Sequence, residues 1–306
     1  KAFFPPLSRR LRRLARGPFL VAAALFALVS QPVNALEPLN CERLPQLFQE
    51  FLQKHIQFNY LNDELRARAA DSYIKRLDSS KSLYLEKEAD DLRLALRGVF
   101  LDIKDGDCGT LVEIQEDLVT RYGKLEKFSR VTLGDENYTV DPETVLILDP
   151  DKRSRPKTPQ EREIFTKKLI GFQMSNYLSN DLAMPEAKEK LIHRYELMTR
   201  RAKEQTETDV YATFLDSFAS ALDPHSNYLS PEADEDFQIE MTLSLEGIGV
   251  ALSSQDGYSV VERIVPGGAT DKLGVLETKD KIIAVAQEDG EPVDIIDMDL
   301  RDVVRL

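Results

Sequence analysis

Gly247-Ile248-Gly249-Val250-Ala251-Leu252, followed by Tyr258-Ser-Val-Val-Glu-Arg-Ile264, is where the chain changes its period. Both runs are of strand length, rich in β-branched residues and bounded by glycine, and they read as strands. Ser253-Ser-Gln-Asp-Gly257 between them reads as a turn. Val265-Pro-Gly-Gly268 turns the chain again, and Ala269 to Leu273 is one helical turn stopped by Gly274. Asp280-Lys-Ile-Ile-Ala-Val-Ala286 predicts a third strand, and Asp289-Gly290 a two-residue hairpin. Asp297 is read as the cap of a final helix carrying Met298, Leu300, Val303, Val304 and Leu306. On the other side, Met241 to Leu245 alternates as a strand does. The last helix ends on an apolar residue with no capping glycine, so we expect further sequence beyond Leu306.

The Gly-apolar-Gly string has two known uses. A dinucleotide fingerprint needs a third glycine and a following helix, and here a strand follows. The other use is a carboxylate nest, in which glycines let successive backbone N–H groups turn toward one anion. The strand that follows has an edge to which a peptide can add, its C-terminal carboxylate held by the N–H groups of Ile248, Gly249 and Val250, next to Gly247. One wall of such a groove is Ile248, Val250 and Leu252. The opposite wall is the helix with Leu300, Val303 and Val304.

Toward the N-terminus the period becomes helical, from Cys41 to about Ser220. Leu44, Leu47, Phe48, Phe51, Leu52 and Ile56 form one apolar stripe. Leu65, Ala69, Tyr73, Ile74 and Leu77 form the next. Asp90-Asp91 is read as opening a third helix through Phe100, broken at Gly106 and Gly109, and Thr110 as starting a fourth through Tyr122. Residues 131–160 read as irregular, with Thr144-Val-Leu-Ile-Leu148 extended. Thr158-Pro159 is an N-cap followed by proline at the first helical position. Pro185 and Asp209 are read as opening the last two helices. Asp223-Pro224 and Pro231 then bracket an extended connector. No repeat is visible.

The first 35 residues read as a targeting segment. Arg9, Arg10, Arg12, Arg13 and Arg16 precede an apolar run from Phe19 to Val29, and Val33-Asn34-Ala35 offers a cleavage site. The run is shorter than the ~20 residues a membrane-spanning helix needs, so we read a secretory signal rather than a retained anchor. The chain begins at Lys1 rather than methionine, and we expect it to be incomplete there too. The whole chain of 306 residues has a net charge of −13. Without residues 1–35 it has 34 basic against 53 acidic residues, or −19 over 271. Such a surface repels nucleic acid and anionic lipid. Hydrophobic residues at 42% are enough for real cores. Export to an oxidising compartment allows a Cys41–Cys108 disulfide, although spacing leaves two separate thiols equally open.

Metal and nucleophile chemistry find little footing. His55, His193 and His225 have no chelating spacing, nor do the cysteines. Glu232, Asp234, Glu235 and Asp236 lack the spacing and central glycine of a calcium loop and read as a solvated helix start. Asp223, His225 and Ser226 are too close in sequence to converge as a triad. No cofactor and no metal is expected.

Gly247-Ile-Gly-Val250, Val265-Pro-Gly-Gly-Ala269, Leu273-Gly-Val275 and Asp280-Lys-Ile-Ile-Ala-Val285 together resemble a bacterial PDZ domain. Ser217-Phe-Ala-Ser-Ala-Leu-Asp-Pro-His-Ser-Asn-Tyr-Leu-Ser-Pro231, leading into Met241-Thr-Leu-Ser-Leu-Glu-Gly-Ile-Gly249, resembles the tail-specific protease branch of the carboxyl-terminal processing peptidases. The resemblance implies an α+β chain: a signal peptide at 1–35, a helical N-terminal domain at 36–222, a connector at 223–240 and a truncated PDZ domain at 241–306. It implies a periplasmic serine endopeptidase that binds apolar C-terminal tails of protein substrates, with Leu243, Leu245 and Glu246 as hinge candidates. It further implies a Ser/Lys dyad after the PDZ domain, so that this chain alone is inactive. A helical-repeat lipoprotein adaptor is an expected partner; nucleic acid and stable membrane insertion are not. The rival reading is a non-catalytic periplasmic PDZ adaptor.

Overall fold

The computed structural model describes residues 38–242, 247–287 and 290–306. The expected signal segment at 1–35 and the hinge candidates Leu243, Leu245 and Glu246 lie outside these residues. The fold is α+β: helices fill the chain to residue 242, and small antiparallel sheets follow.

The helices are α1 (Leu44–Lys54), α2 (Asp63–Leu77), α3 (Glu86–Lys104), α4 (Gly109–Gly134), α5 (Pro159–Ser179), α6 (Met184–Glu204), α7 (Glu207–Leu222) and α8 (Pro231–Thr242). Their local causes are legible. The Asn62 side chain accepts from the Leu65 N–H at the head of α2. Thr158 accepts from the Glu161 N–H, with Pro159 at the first helical position of α5. Thr206, not Asp209, caps α7, and Asp209 reaches back to the Thr206 N–H at 2.8 Å, completing a capping box. Helix α3 starts at Glu86, ahead of the expected Asp90, because Glu88 reaches back to the Leu85 N–H at 2.8 Å.

Helix α4 runs on to Gly134, past the point where irregular chain was expected, and this length organises the core. Its first half places Leu111, Ile114 and Leu118 in a large cluster with α1, α2, α3 and α7. Its far end places Leu133 in a second cluster with Ile170 and Met174 of α5 and Leu191 and Tyr195 of α6. The first cluster centres on aromatic rings: Phe48 lies 4.7 Å from Phe218, and Phe214 lies 5.2 Å from Phe100 and 5.3 Å from Tyr73. The Cys41 and Cys108 sulfurs are bonded, fastening the start of α1 to the start of α4. Ile56 does not join the α1 stripe: the helix ends at Lys54 and the side chain is fully exposed. Thr144–Leu148 forms no strand.

The β-rich end comprises β1 (Val250–Gln255), β2 (Tyr258–Ile264), α9 (Ala269–Leu273), β3 (Lys281–Ile282), β4 (Ala284–Val285), β5 (Val293–Asp294) and α10 (Leu300–Arg305). One sheet has the order β1-β2-β3, and β4 pairs with β5. Strand β1 begins three residues later than the sequence suggests, and Gly247–Gly249 form a bend instead. The β1–β2 turn is only Asp256-Gly257, with Gln255 opposite Tyr258. Both turn residues have positive φ, 50° and 83°, the type I′ pattern whose twist suits a two-residue hairpin. Glu262 is the extra residue of a bulge between the Ala251–Arg263 and Leu252–Val261 pairs. The expected third strand splits at Ile283 into β3 and β4, and residues 286–292 join β4 to β5, a longer link than Asp289-Gly290 predicts. Asp299, not Asp297, caps α10. Met241 and Thr242 are the end of α8 rather than an alternating strand, since so short an alternation fits either structure.

Candidate functional site

The bend at Gly247–Gly249 stands at the foot of β1, one of the two edge strands of its sheet. Gly249 has φ +78°, and a Cβ there would lie 3.1 Å from Gly268 Cα and 3.2 Å from Ala269 N. The two glycines let two backbone segments touch. The contact is pinned from the other side as well. Val265 N donates to Gly249 O at 2.9 Å, and the Thr270 N–H and hydroxyl both donate to Ile248 O, at 3.0 and 2.7 Å. The carbonyls of the bend are therefore taken up by the turn ahead of α9. Among the described residues, no acceptor meets the N–H of Ile248 or Gly249.

Around this bend, Gly247 and Ile248 are exposed, and Val250 and Leu252 are half-buried. Helix α10 packs against β1. On it Leu300 is half-buried, Val303 is buried and Val304 is 70% exposed. Leu300 and Val303 thus face the packed side of α10, and Val304 stands in solvent.

Two polar clusters, whose distant partners the sequence does not reveal, hold the hairpin and the connector to the helices. At the first, Asp297 has φ +66° and donates its N–H to Gly257 O at 2.7 Å. His193 Nε2 lies 2.8 Å from Asp297 Oδ1, and Arg200 Nη2 donates to Asp297 O at 3.0 Å. A Cβ on Gly257 would strike the Asp297 carboxylate. Alongside, the Tyr177 hydroxyl donates to Asp256 Oδ1 at 2.7 Å. Burial, reinforced by that carboxylate, pushes the Tyr177 pKa up to about 12. His193 and Arg200 stand seven apart on α6, but nothing in that spacing points to a partner a hundred residues away.

The second cluster fixes the connector. Asp223 accepts from the Ser226 hydroxyl at 2.7 Å, from the His225 N–H at 2.7 Å and from His55 Nε2 at 3.0 Å. The N–H groups of Phe58 and Gln57 donate to His55 Nδ1, which places the ring proton on Nε2. The Ser226 hydroxyl, with the His225 N–H and His55 behind it, holds the Asp223 pKa down to about 2. This is serine, aspartate and histidine in the wrong order for nucleophilic catalysis. Serine gives its hydrogen bond to the carboxylate, and among the described residues no base faces its oxygen. Tyr228 N donates to Asp216 Oδ1 of α7 at 2.9 Å, so the first residues of the connector are tied at a second point.

Among the described residues no group of histidine, cysteine or carboxylate side chains is arranged to hold a metal ion. No helix among them is long and apolar enough to cross a membrane.

The chain is thus a helical scaffold bearing a small sheet, with a glycine bend at the foot of one edge strand. The family described as "Tail specific protease N-terminal domain" matches residues 47–232. A tail-specific protease of Haemophilus influenzae is 30% identical over 255 residues, covering 82% of this chain and 36% of that relative. The chain belongs to the tail-specific protease family. It spans little more than a third of the length of the curated relative it matches.

Proposed function

We propose that residues 241–306 are a PDZ domain that captures the free C-terminus of a protein substrate, and that residues 36–222 are the helical domain that carries it, joined through a connector at 223–240. Ile248, Gly249 and Val250 hold the terminal carboxylate, and the tail adds to β1 between Gly247, Leu252 and the face of α10 that carries Leu300, Val303 and Val304. The observation that carries this reading is Gly249, bent to φ +78° against Gly268 at the foot of an edge strand. The Ile248 and Gly249 carbonyls are satisfied while, among the described residues, their amides meet no acceptor, which supports a site for an anion.

The protein that carries this module is a serine-type, carboxyl-terminal processing endopeptidase, whose Ser/Lys dyad lies in sequence beyond Leu306. Leu243, Leu245 and Glu246 are the hinge through which tail binding is coupled to the dyad, because a ligand acts only by favouring one of two arrangements. The protein works in the periplasm after a signal at residues 1–35 is removed, and the Cys41–Cys108 bridge suits that compartment. Its substrates have apolar tails, and a helical-repeat lipoprotein is its adaptor.

Binding of a fluorescent apolar-tailed peptide to the full-length protein tests the reading. Amidating the peptide's C-terminus should weaken binding at least about tenfold, the scale of a lost charge-assisted hydrogen bond. Gly249→Val should do the same, because valine cannot take the bend without moving Gly268. Equal binding by the amidated peptide would retire the carboxylate nest.

A further inference from the structure

The foot of β1 fixes the direction of any tail docked there. If the terminal carboxylate sits at Gly249, the chain ahead of it must run antiparallel to β1, from Val250 toward Gln255. Strand β1 has six residues. At about 3.4 Å per residue, a paired tail covers roughly 20 Å before it leaves the strand. It then arrives at the β1–β2 turn, and that turn is where the sheet meets α5 and α6.

A cleft of about 580 Å³ opens at that place, between the hairpin and the two helices. Ser254 and Gln255 form its sheet side, and Gln173, Asn176, Arg194 and Arg201 its helical side. Arg194 and Arg201 are exposed, and among the described residues neither has a carboxylate within ion-pair distance. Asp256 is the one carboxylate that lines the cleft, and the Tyr177 hydroxyl already occupies one of its oxygens. Two guanidinium groups without a carboxylate partner, Arg194 resting against the Tyr177 hydroxyl, make a local basic spot in so acidic a protein. Their neighbours are amides and a hydroxyl, suited to hydrogen-bond an extended backbone.

We propose that this cleft is an upstream subsite: it takes the segment about six to nine residues before the substrate's C-terminus and prefers that segment acidic. The inference rests on the proposed capture of the tail at Gly249 and adds a second determinant to it. Recognition then has two parts, an apolar end read by the sheet and an acidic stretch read by α6. The second part is formed only while the hairpin stays seated on the helices through Asp256 and Asp297.

The test uses the full-length protein and fluorescein-labelled ten-residue peptides with one common apolar terminus, read by anisotropy before appreciable cleavage. One peptide carries Asp and Glu at its upstream end, another Lys, and a four-residue peptide carries the terminus alone, as acid and as amide. The acidic peptide should bind about fivefold to tenfold more tightly than the lysine peptide, the scale of two exposed charge contacts, and the ratio should shrink as salt is raised. Arg194→Gln with Arg201→Gln should bring the ratio to about one, and Arg194→Glu with Arg201→Glu should reverse it; a reversal cannot come from misfolding. Equal binding of the acidic and lysine peptides overturns the subsite. If the four-residue acid still binds and its amide does not, only the subsite has failed. If acid and amide bind alike, the capture at Gly249 has failed and the subsite falls with it.

Discussion

Phe214 and Phe218 sit among Phe48, Tyr73 and Phe100 with no exposed surface, whereas Ile248 and Val304, near the other end of the chain, stand 53% and 70% exposed. The helical region has an apolar stripe on nearly every helix and a partner for each. The sheet has a short list of buried apolar residues: Val260, Val261, Ile295 and Val303. A large closed core can hold its shape unaided. A small open one needs outside support, and it receives it as polar contacts from α5 and α6 rather than as apolar burial. The contrast suits a scaffold that stays rigid while the sheet retains freedom to move.

The sharpest way to break this contrast is to damage the rigid half. Phe214→Ala removes the ring between Tyr73 and Phe100 and should cost about 3–5 kcal/mol. A urea titration followed by circular dichroism should show the unfolding free energy fall by that amount, and the midpoint with it. A midpoint within error of the parent would mean that the helical core is looser than its packing implies.

The disulfide should come next. It closes a loop across 67 positions of sequence, worth about 2–4 kcal/mol through the lost freedom of the unfolded chain. Cys41→Ser should lower the urea midpoint accordingly, and adding reductant to the parent protein should lower it equally. If reductant has no effect on the parent, the bridge is absent in solution.

Where the sequence could be read, the cause was local. Gly274 stops α9 at φ +63°, Thr158 and Pro159 open α5, and the β2 run from Tyr258 to Ile264 matches its strand residue for residue. Each depends on neighbours within a few positions. Asp297 was misread because the sequence shows a helix-capping residue type one turn before an apolar run. Its actual conformation is set by Gly257, His193 and Arg200, and no pattern reports contacts that distant. Ile56 was misread for the opposite reason: apolar spacing continues past Lys54, but the backbone turns away at His55, whose Nδ1 accepts from the chain that follows. The bend at Gly249 was visible as glycine, but its dependence on Gly268 was not, since the two meet only after β2 has returned beside β1. His55 gave no hint of Asp223, 168 positions away.

A smaller effect should separate the two regions. Asp297→Ala removes the carboxylate that faces His193 Nε2 and Arg200 Nη1 and leaves the backbone contacts of residue 297 with Arg200 and Gly257 in place. These side chains are partly exposed, so the loss should be about 1 kcal/mol and confined to the sheet. Hydrogen exchange followed by mass spectrometry should show faster exchange across β1 and β2 and unchanged exchange in α2 and α7. Equal acceleration in both regions would mean that the sheet and the helices unfold as one unit, and the contrast drawn above would not hold.

The smallest expected effect lies in acid, at the connector that joins the two regions. The Ser226 hydroxyl, the His225 N–H and His55 hold the Asp223 pKa down to about 2 in the folded chain, below the ~3.9 of an unfolded aspartate. A depressed carboxylate stabilises the fold above the unfolded pKa, and the contribution drains away as pH falls toward the folded one. The connector should therefore loosen between about pH 4 and pH 2, while the aromatic cluster, which carries no charge, is indifferent to the change. Hydrogen exchange of the amides at His225 and Tyr228, compared at pH 5 and pH 2.5 after correction for intrinsic rates, should show protection lost at the lower pH. Asp223→Asn should remove most of that pH dependence, because its amide oxygen can still accept from Ser226 but no longer titrates. A pH dependence that survives the substitution would place the acid-sensitive group elsewhere. The connector would then be held by its contact with Asp216 of α7 and not by the carboxylate that joins it to α1.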